Sequence, residues 1–146
     1  MRILFINGPN LNLLGERETP IYGRATLDQI NDKIRDRARE AGVEVVFFQS
    51  NHEGEIVERI QKAKGQFEVL VLNPAAFTHT SVAIRDALLA VGIPAIEVHL
   101  SNPARREAFR RRSLISDVAV GTISGFGEES YHLALQAAIR LVAKKG

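Results

Sequence analysis

The stretch at residues 69–98, VLVLNPAAFTHTSVAIRDALLAVGIPAIEV, decides the fold of this chain. It begins and ends with short apolar runs, 69–72 and 94–98, which are typical of parallel strands buried on both faces. Between them, apolar residues recur at helical spacing over 83–91, and Gly92 before Pro94 marks the end of that helix. Parallel strands need a crossover of this length, so the stretch predicts one strand–helix–strand unit.

The same alternation of strands and helices extends along the rest of the chain. Three further apolar runs predict strands at 3–6, 43–48 and 118–123. Helical spacing predicts four further helices: one opened by a Thr26–Gln29 capping box, one starting at Ser50–Glu53, a short one around Phe109 and a last one from Tyr131.

Strict alternation predicts an α/β fold, an open five-stranded parallel sheet with helices on both faces. The three-layer α/β/α arrangement has flavodoxin-like connectivity. Neither an internal repeat nor a linker is evident, so residues 1–146 are predicted to form one domain.

Composition excludes several classes of protein. The 146 residues are 45% hydrophobic and 25% charged, with 11 Gly and 5 Pro, which excludes disordered and collagen-like chains. No apolar run approaches the ~20 residues of a membrane span, and the run at 3–6 is too short for a signal peptide, so we expect no membrane partner. The chain has no cysteine, which fits a cytoplasmic location.

Basic charge is concentrated in one short segment. Residues 105–112 hold five arginines and one glutamate, a net charge of +4 within a chain of net charge +2. Nucleic-acid binders usually carry a broad basic face, so we expect no nucleic-acid partner. An anionic small molecule, a solvated helix or a subunit contact remain as explanations.

Parallel α/β sheets bind ligands at the carboxyl edge of their strands. The chain lacks a phosphate-binding P-loop, a full dinucleotide motif and a G-x-S-x-G nucleophile motif. All five lysines fall on predicted helices or the tail, which argues against Schiff-base chemistry. The histidines lack metal-site spacing, so we expect no metal.

Glu97 and His99 end the fourth predicted strand. Side chains alternate along a strand, so both lie on one face at the functional edge. A carboxylate beside an imidazole fixes its tautomer and suits it to general acid catalysis. A structural Glu–His pair has the same sequence, and both interpretations stay open here.

His79 and Asp86 belong to the helix that follows the third strand. His79 precedes the helix N-terminus, where amides favour anions and polar ligands. Asp86 lies seven residues on, nominally on the same helix face. A capping histidine and a solvated aspartate are the structural alternatives.

The segment at residues 15–24 has the composition of a mobile lid. It is charged, contains Pro20 and places Tyr22 between Arg17 and Arg24. A tyrosine ordinarily ionises near pH ~10, so it acts as a base only where cations stabilise its phenolate. An exposed loop with an incidental aromatic residue is the alternative.

Three motifs are highly specific: FINGPNLNLLGERETPIYG at 5–23, THTSVAIRDAL at 78–88 and EVHLSN at 97–102. With FFQSNHEGEIVERI, REAFRRRS and GTISGFGEESYHLAL they resemble type II 3-dehydroquinate dehydratases over nearly the whole chain. The resemblance implies a small-molecule substrate, 3-dehydroquinate, dehydrated to 3-dehydroshikimate in the shikimate pathway without cofactor or metal. It also implies a homododecamer, a tetramer of trimers.

By the same resemblance, matching positions imply residue roles. Tyr22 matches the proton acceptor, Arg17 its activator, His99 the proton donor and Glu97 the residue that orients it, while Asn10 matches a residue that holds water at the enolate. Substrate binding is implied for Asn73, His79, Arg110, the amides of Leu100 and Ser101, and Asp86, which acts in the neighbouring subunit.

The sequence departs from the family pattern in two places. Ala76 stands where glycine is usual, and 103–105 reads PAR in place of the commoner IHA. The second departure puts subunit contacts and the approach of Arg110 in question. The alternative function is a non-catalytic flavodoxin-like module that binds a polyhydroxy acid or RNA.

Overall fold

The computed structural model describes residues 1–16 and 18–143. In this part of the chain, five strands form one sheet in the order β2-β1-β3-β4-β5, and all paired neighbours are parallel. The strands are β1 Arg2–Asn7, β2 Glu44–Gln49, β3 Val69–Asn73, β4 Ala95–His99 and β5 Gly121–Ser124. The predicted α/β fold is confirmed.

Helices cover both faces of the sheet. They are α1 Thr19–Tyr22, α2 Leu27–Glu40, α3 Glu53–Lys62, α4 Val82–Val91 and α5 Glu129–Ala143. Alternate residues of β1 point to opposite faces: Ile3 and Phe5 pack with α2 and α5, and Leu4 and Ile6 pack with α3 and α4. Two hydrophobic cores therefore enclose the sheet, as the three-layer prediction requires.

Local signals account for several helix ends. Thr26 Oγ1 accepts from the Gln29 amide and the Gln29 side chain accepts from the Thr26 amide, which confirms the predicted capping box. Ser81 caps α4 by accepting from the Ile84 amide. Gly92 ends α4 in the left-handed conformation that glycine adopts without steric cost.

Three local predictions were wrong. The helix expected around Phe109 is replaced by two short 3-10 turns, Pro103–Arg105 and Ala108–Arg110, because the segment lacks an apolar face to pack. Helix α3 is preceded by His52, since Ser50 Oγ accepts from the His52 amide and bonds the Glu55 carboxylate instead of capping the helix. The last strand begins at Gly121, three residues later than expected.

The carboxyl ends of β1 and β3 approach closely beneath the functional edge. The Gly8 amide donates to the Asn73 carbonyl oxygen over 2.8 Å. A Cβ at Gly8 would lie 2.4 Å from the Pro74 carbonyl oxygen, so a larger residue cannot occupy this position without a backbone shift. The close approach aligns Asn7 with Asn73 as register partners at the ends of the two strands.

Large apolar side chains remain on the surface of the protomer. The most exposed are Val82, Leu89, Phe109, Val120 and Phe126. Among the described residues, the helices are all too short or too polar to span a bilayer.

Candidate active site

A small cavity of about 110 Å³ opens at the carboxyl edge of β1, β3 and β4. Side chains and backbone from the loops after these strands line it, together with α1 and the arginine-rich segment. The lining includes most of the predicted site residues: Asn10, Tyr22, Asn73, His79, His99, Leu100, Ser101 and Arg110. The cavity thus collects residues from five separate parts of the sequence.

Glu97 and His99 form a buried pair at the end of β4. Their side chains point to the same face, and the Glu97 carboxylate lies 2.6 Å from Nε2 of His99. Glu97 is 1% exposed and His99 8% exposed, so water hardly screens the interaction. The predicted juxtaposition of the two side chains is confirmed.

Two hydroxyl groups donate hydrogen bonds to the Glu97 carboxylate. Ser113 Oγ accepts from two backbone amides and therefore gives its proton to Glu97, 2.9 Å away. Thr78 Oγ1 also donates to Glu97, over 3.1 Å. Burial alone raises the pKa of Glu97, but hydrogen bonds from His99, Ser113 and Thr78 bring it below the ordinary value.

A carboxylate can only accept hydrogen bonds, so His99 Nε2 carries a proton and donates it to Glu97. Because Nε2 is occupied in this way, Nδ1 is the ring nitrogen available to a ligand in the cavity that His99 lines. The arrangement suits proton transfer at a defined atom.

Tyr22 ends helix α1 at the mouth of the cavity, half-buried beneath Arg106. Nη1 of Arg106 donates to the Tyr22 hydroxyl oxygen over 2.6 Å, and the guanidinium carbon lies 5.0 Å from the ring centroid. The Arg106 side chain is 13% exposed, and its buried Nε has no hydrogen-bond partner within the described residues. The same guanidinium also lies 3.7 Å from the Glu18 carboxylate and 4.0 Å from that of Glu107.

Sequence reasoning missed Arg106. The segment 105–112 holds five arginines that look alike in the sequence, and Arg110 was selected by resemblance. Both Arg106 and Arg110 line the cavity, but Arg106 contacts Tyr22 whereas Nε of Arg110 donates to Glu107. Thr78 and Ser113, which hold Glu97, were also missed because a hydroxyl group in a loop gives no distinctive sequence signal.

Further polar groups also line the cavity, among them His79, Asn73 and Asn10. Nδ1 of His79 lies 2.7 Å from the Arg112 carbonyl oxygen, an acceptor, so Nδ1 carries a proton. Asn73 is buried, while Asn10 is exposed and adopts a left-handed backbone with φ 69°. Asparagine tolerates this conformation better than most residues. These groups offer hydrogen bonds to a ligand rich in oxygen.

Two residues implicated by the sequence, Asp86 and Arg24, do not line the cavity. Asp86 is exposed on α4 and does not line the cavity. The prediction that it shares a helix face with His79 was wrong, because His79 belongs to a separate 3-10 turn, Ala75–His79, and α4 begins after Ser81. Arg24 is exposed, and Arg17 lies outside the described residues.

The fold and cavity define a class of protein: an α/β protein whose sheet edge presents a cation-bound phenol and a carboxylate–histidine pair for acid–base chemistry. Comparison with known proteins identifies the family within this class. Residues 1–139 match the model of the family described as "Dehydroquinase class II". The chain therefore belongs to the dehydroquinase class II family, which confirms the resemblance drawn from its motifs.

Individual relatives align with this chain over nearly their full length. A 3-dehydroquinate dehydratase of Hahella chejuensis is 58% identical over 144 residues, 98% of each chain. One of Campylobacter hominis is 54% identical and covers 97% of this chain and 91% of its own. The crystal structure of a type II dehydroquinase from Butyrivibrio crossotus superposes with a TM-score of 0.93 at 45% identity, covering 94% of this chain and 97% of that one.

Proposed function

We propose that this protein is a 3-dehydroquinate dehydratase that eliminates water from 3-dehydroquinate through an enolate to give 3-dehydroshikimate. The observation that carries the proposal is the cavity itself. It presents the Tyr22 phenol with its Arg106 cation and the His99 ring with its Glu97 carboxylate to one ligand. Membership of the dehydroquinase class II family supports the same reaction.

Tyr22 is the proposed base. As a phenolate it takes the proton from the carbon beside the ketone, and the electron pair of that C–H bond forms the enolate. The guanidinium of Arg106 stabilises the phenolate from 2.6 Å. Arg17 is proposed as a second cation by resemblance to the family.

His99 is the proposed acid. The enolate expels the β-hydroxyl group as the imidazolium form of His99, protonated on both ring nitrogens, delivers its Nδ1 proton to that oxygen, so the leaving group departs as water and a neutral ring with Nε2 bound to Glu97 remains. Glu97 holds the opposite nitrogen and fixes the ring orientation. One proton leaves the substrate carbon and one is returned to the departing oxygen, so the step needs no oxidant or reductant. By resemblance to the family, we also propose that no cofactor or metal takes part.

Substrate binding is proposed for the other polar groups of the cavity. Asn73, His79 and Arg110 line it, as do Leu100 and Ser101, whose amides are proposed to hold the substrate carboxylate. Asn10 is proposed to hold a water molecule near the enolate oxygen, where fixed donors stabilise developing charge. The lid at residues 15–24 is proposed to close over the bound substrate and exclude water.

We also propose a homododecamer, a tetramer of trimers, in which Asp86 completes the site of a neighbouring subunit. The exposure of Asp86 on α4 and the exposed apolar Val82 and Leu89 on the same helix support a subunit contact there. We further propose that the enzyme acts in the shikimate pathway in the cytoplasm, where a chain without cysteine needs no disulfides.

The activity is tested by mixing purified protein with 3-dehydroquinate and following the ultraviolet absorbance of the conjugated enone product. Wild-type protein should generate the absorbance, and Tyr22→Phe protein, which keeps the ring, should generate far less. Binding of 3-dehydroquinate with no enone formed by wild-type protein overturns the proposal in favour of a non-catalytic binding module.

The shared site is tested by mixing two inactive proteins, Tyr22→Phe and Asp86→Ala, after dissociation and reassembly. Mixed oligomers should recover partial activity, because some sites then combine an intact Tyr22 with an intact Asp86 from the neighbour. A fully active monomer, or mixed oligomers without recovery, contradicts the sharing of Asp86.

A further inference from the structure

A buried network of side-chain hydrogen bonds lies directly beneath the cavity. Tyr131 of α5 is 0% exposed, and its hydroxyl group lies between the side chains of Asn7 and Asn73. These asparagines end β1 and β3 and are register partners. Asn73 lines the cavity, so this network connects the protein core to the proposed substrate site.

Each hydrogen bond of this network has a defined donor and a defined acceptor. The Tyr131 hydroxyl donates to Oδ1 of Asn7 over 2.5 Å and accepts from Nδ2 of Asn73 over 2.8 Å. Because burial raises the pKa of Tyr131, the phenol stays neutral and has one proton to donate. That proton is given to Asn7, so the phenol can only accept from Asn73.

The other end of the Asn73 amide is also occupied. Its Oδ1 accepts from the Ala75 amide over 3.0 Å, in a turn where Ala75 has a positive φ of 53°. An amide nitrogen has two N–H groups, and one of them is bound to Tyr131. The second N–H of Asn73 is the group left for a ligand in the cavity.

We propose that Tyr131 is a positioning residue that acts through Asn73. Together with the Ala75 amide, it holds the Asn73 side chain so that an N–H donor, and not the carbonyl oxygen, meets the substrate. The site thereby selects an oxygen that accepts a hydrogen bond, such as a hydroxyl or carboxylate oxygen of 3-dehydroquinate. The identity of that ligand rests on the proposed function, whereas the orientation of Asn73 rests on the hydrogen bonds alone.

The substitution Tyr131→Phe removes the hydroxyl group and keeps the ring. Nδ2 of Asn73 then loses its buried acceptor, and only the hydrogen bond from the Ala75 amide still holds the side chain. We expect KM to rise about tenfold, the factor that corresponds to ~1.4 kcal/mol, with kcat nearly unchanged. A rise in KM at constant kcat is the signature of lost binding that is equal in ground state and transition state.

Two controls separate positioning from general destabilisation. Ile60→Val alters a buried residue on the opposite face of the sheet, away from the cavity, and should lower stability without changing KM. In an Asn73→Ala background, Tyr131→Phe should cause no additional rise in KM, because the residue through which it acts is already missing.

A second variant tests whether the direction in which the Tyr131 hydroxyl group donates its proton matters. Asn7→Ala keeps both Tyr131 and Asn73 but removes the acceptor of the phenol proton. The hydroxyl group is then able to turn its proton towards Nδ2 of Asn73, which weakens one of the two hydrogen bonds that hold the Asn73 side chain. We expect KM to rise in this variant as well, by a smaller factor than in Tyr131→Phe, and this variant decides the matter if Tyr131→Phe does not fold.

The decisive measurement is calorimetric binding of 3-dehydroquinate in a Tyr22→Phe background, in which the substrate binds without turnover. Adding Tyr131→Phe should weaken binding about tenfold, again ~1.4 kcal/mol. Unchanged affinity, or additive effects of Tyr131→Phe and Asn73→Ala, overturns the role of Tyr131. Wild-type protein that binds 3-dehydroquinate but forms no enone removes the proposed function and leaves the positioning role to be decided by the binding data.

Discussion

Tyr22 and Tyr131, the two tyrosines of the chain, lie at the same edge of the sheet in opposite surroundings. Tyr22 is half-buried, lines the cavity and meets the guanidinium of Arg106. Tyr131 is fully buried and its hydroxyl group meets the side-chain amides of Asn7 and Asn73. The difference separates a phenol in contact with a cation from one that stays neutral among side-chain amides.

The charge of the partner explains the contrast. Burial disfavours a phenolate, and a neutral amide compensates only in part, so the pKa of Tyr131 is raised above its usual value. A cation within hydrogen-bond distance favours the phenolate directly. The two side chains are identical but their surroundings differ in charge, in keeping with the different roles proposed for them: proton transfer for Tyr22 and orientation of Asn73 for Tyr131.

The substitution Tyr22→Phe should have the largest effect on turnover. Loss of a general base typically costs about 10²–10⁴-fold in rate, and we expect kcat to fall within this range. Steady-state kinetics with 3-dehydroquinate measures the fall, and denaturant unfolding should change by no more than about 0.5 kcal/mol. If most of the activity persists, Tyr22 is not the base.

Arg106→Gln should produce the next largest effect. A hydrogen bond to a charged group contributes about 1.5–3 kcal/mol, so kcat should fall about 10–100-fold. The matched control is Arg111→Gln, in an exposed arginine outside the cavity, and an equal loss in the control contradicts the role of Arg106.

Tyr131→Phe should reverse the pattern seen for Tyr22→Phe by lowering stability more than turnover. Removal of the hydroxyl group leaves polar atoms of Asn7 and Asn73 buried without a partner, at a cost of about 1–3 kcal/mol in the free energy of unfolding. Urea denaturation of both phenylalanine variants measures the difference. Equal stabilities mean that the buried hydrogen bonds do not contribute to folding.

The smallest but most specific effect should be seen in the phenolate absorbance of Tyr131 during an alkaline titration. In Tyr22→Phe protein, Tyr131 is the one remaining tyrosine, and its phenolate absorbance should appear only as the protein unfolds. The unfolded chain releases this proton above pH ~10 whereas the folded chain retains it, so the group lowers stability by ~1.4 kcal/mol per pH unit above that value. Reversible ionisation of the folded protein near pH ~10 contradicts a raised pKa for Tyr131.

Most of the architecture follows from short-range patterns in the sequence. The apolar runs and the Thr26–Gln29 capping box each involve residues close along the chain, and they predicted the alternation of strands and helices. Glu97 and His99 were predicted to meet for the same reason, since residues two apart share one face of a strand. The segment 103–112 was predicted wrongly because its single aromatic residue sets no period.

The sequence by itself determined the fold class, the edge of the sheet that carries the cavity and, through its motifs, the family. Tertiary structure decided which arginine meets Tyr22 and which hydroxyl groups hold Glu97. Arg106 and Tyr22 are 84 residues apart, and similar arginines surround Arg106. Local periodicity depends on neighbours along the chain, whereas such contacts depend on how separate loops pack at the sheet edge.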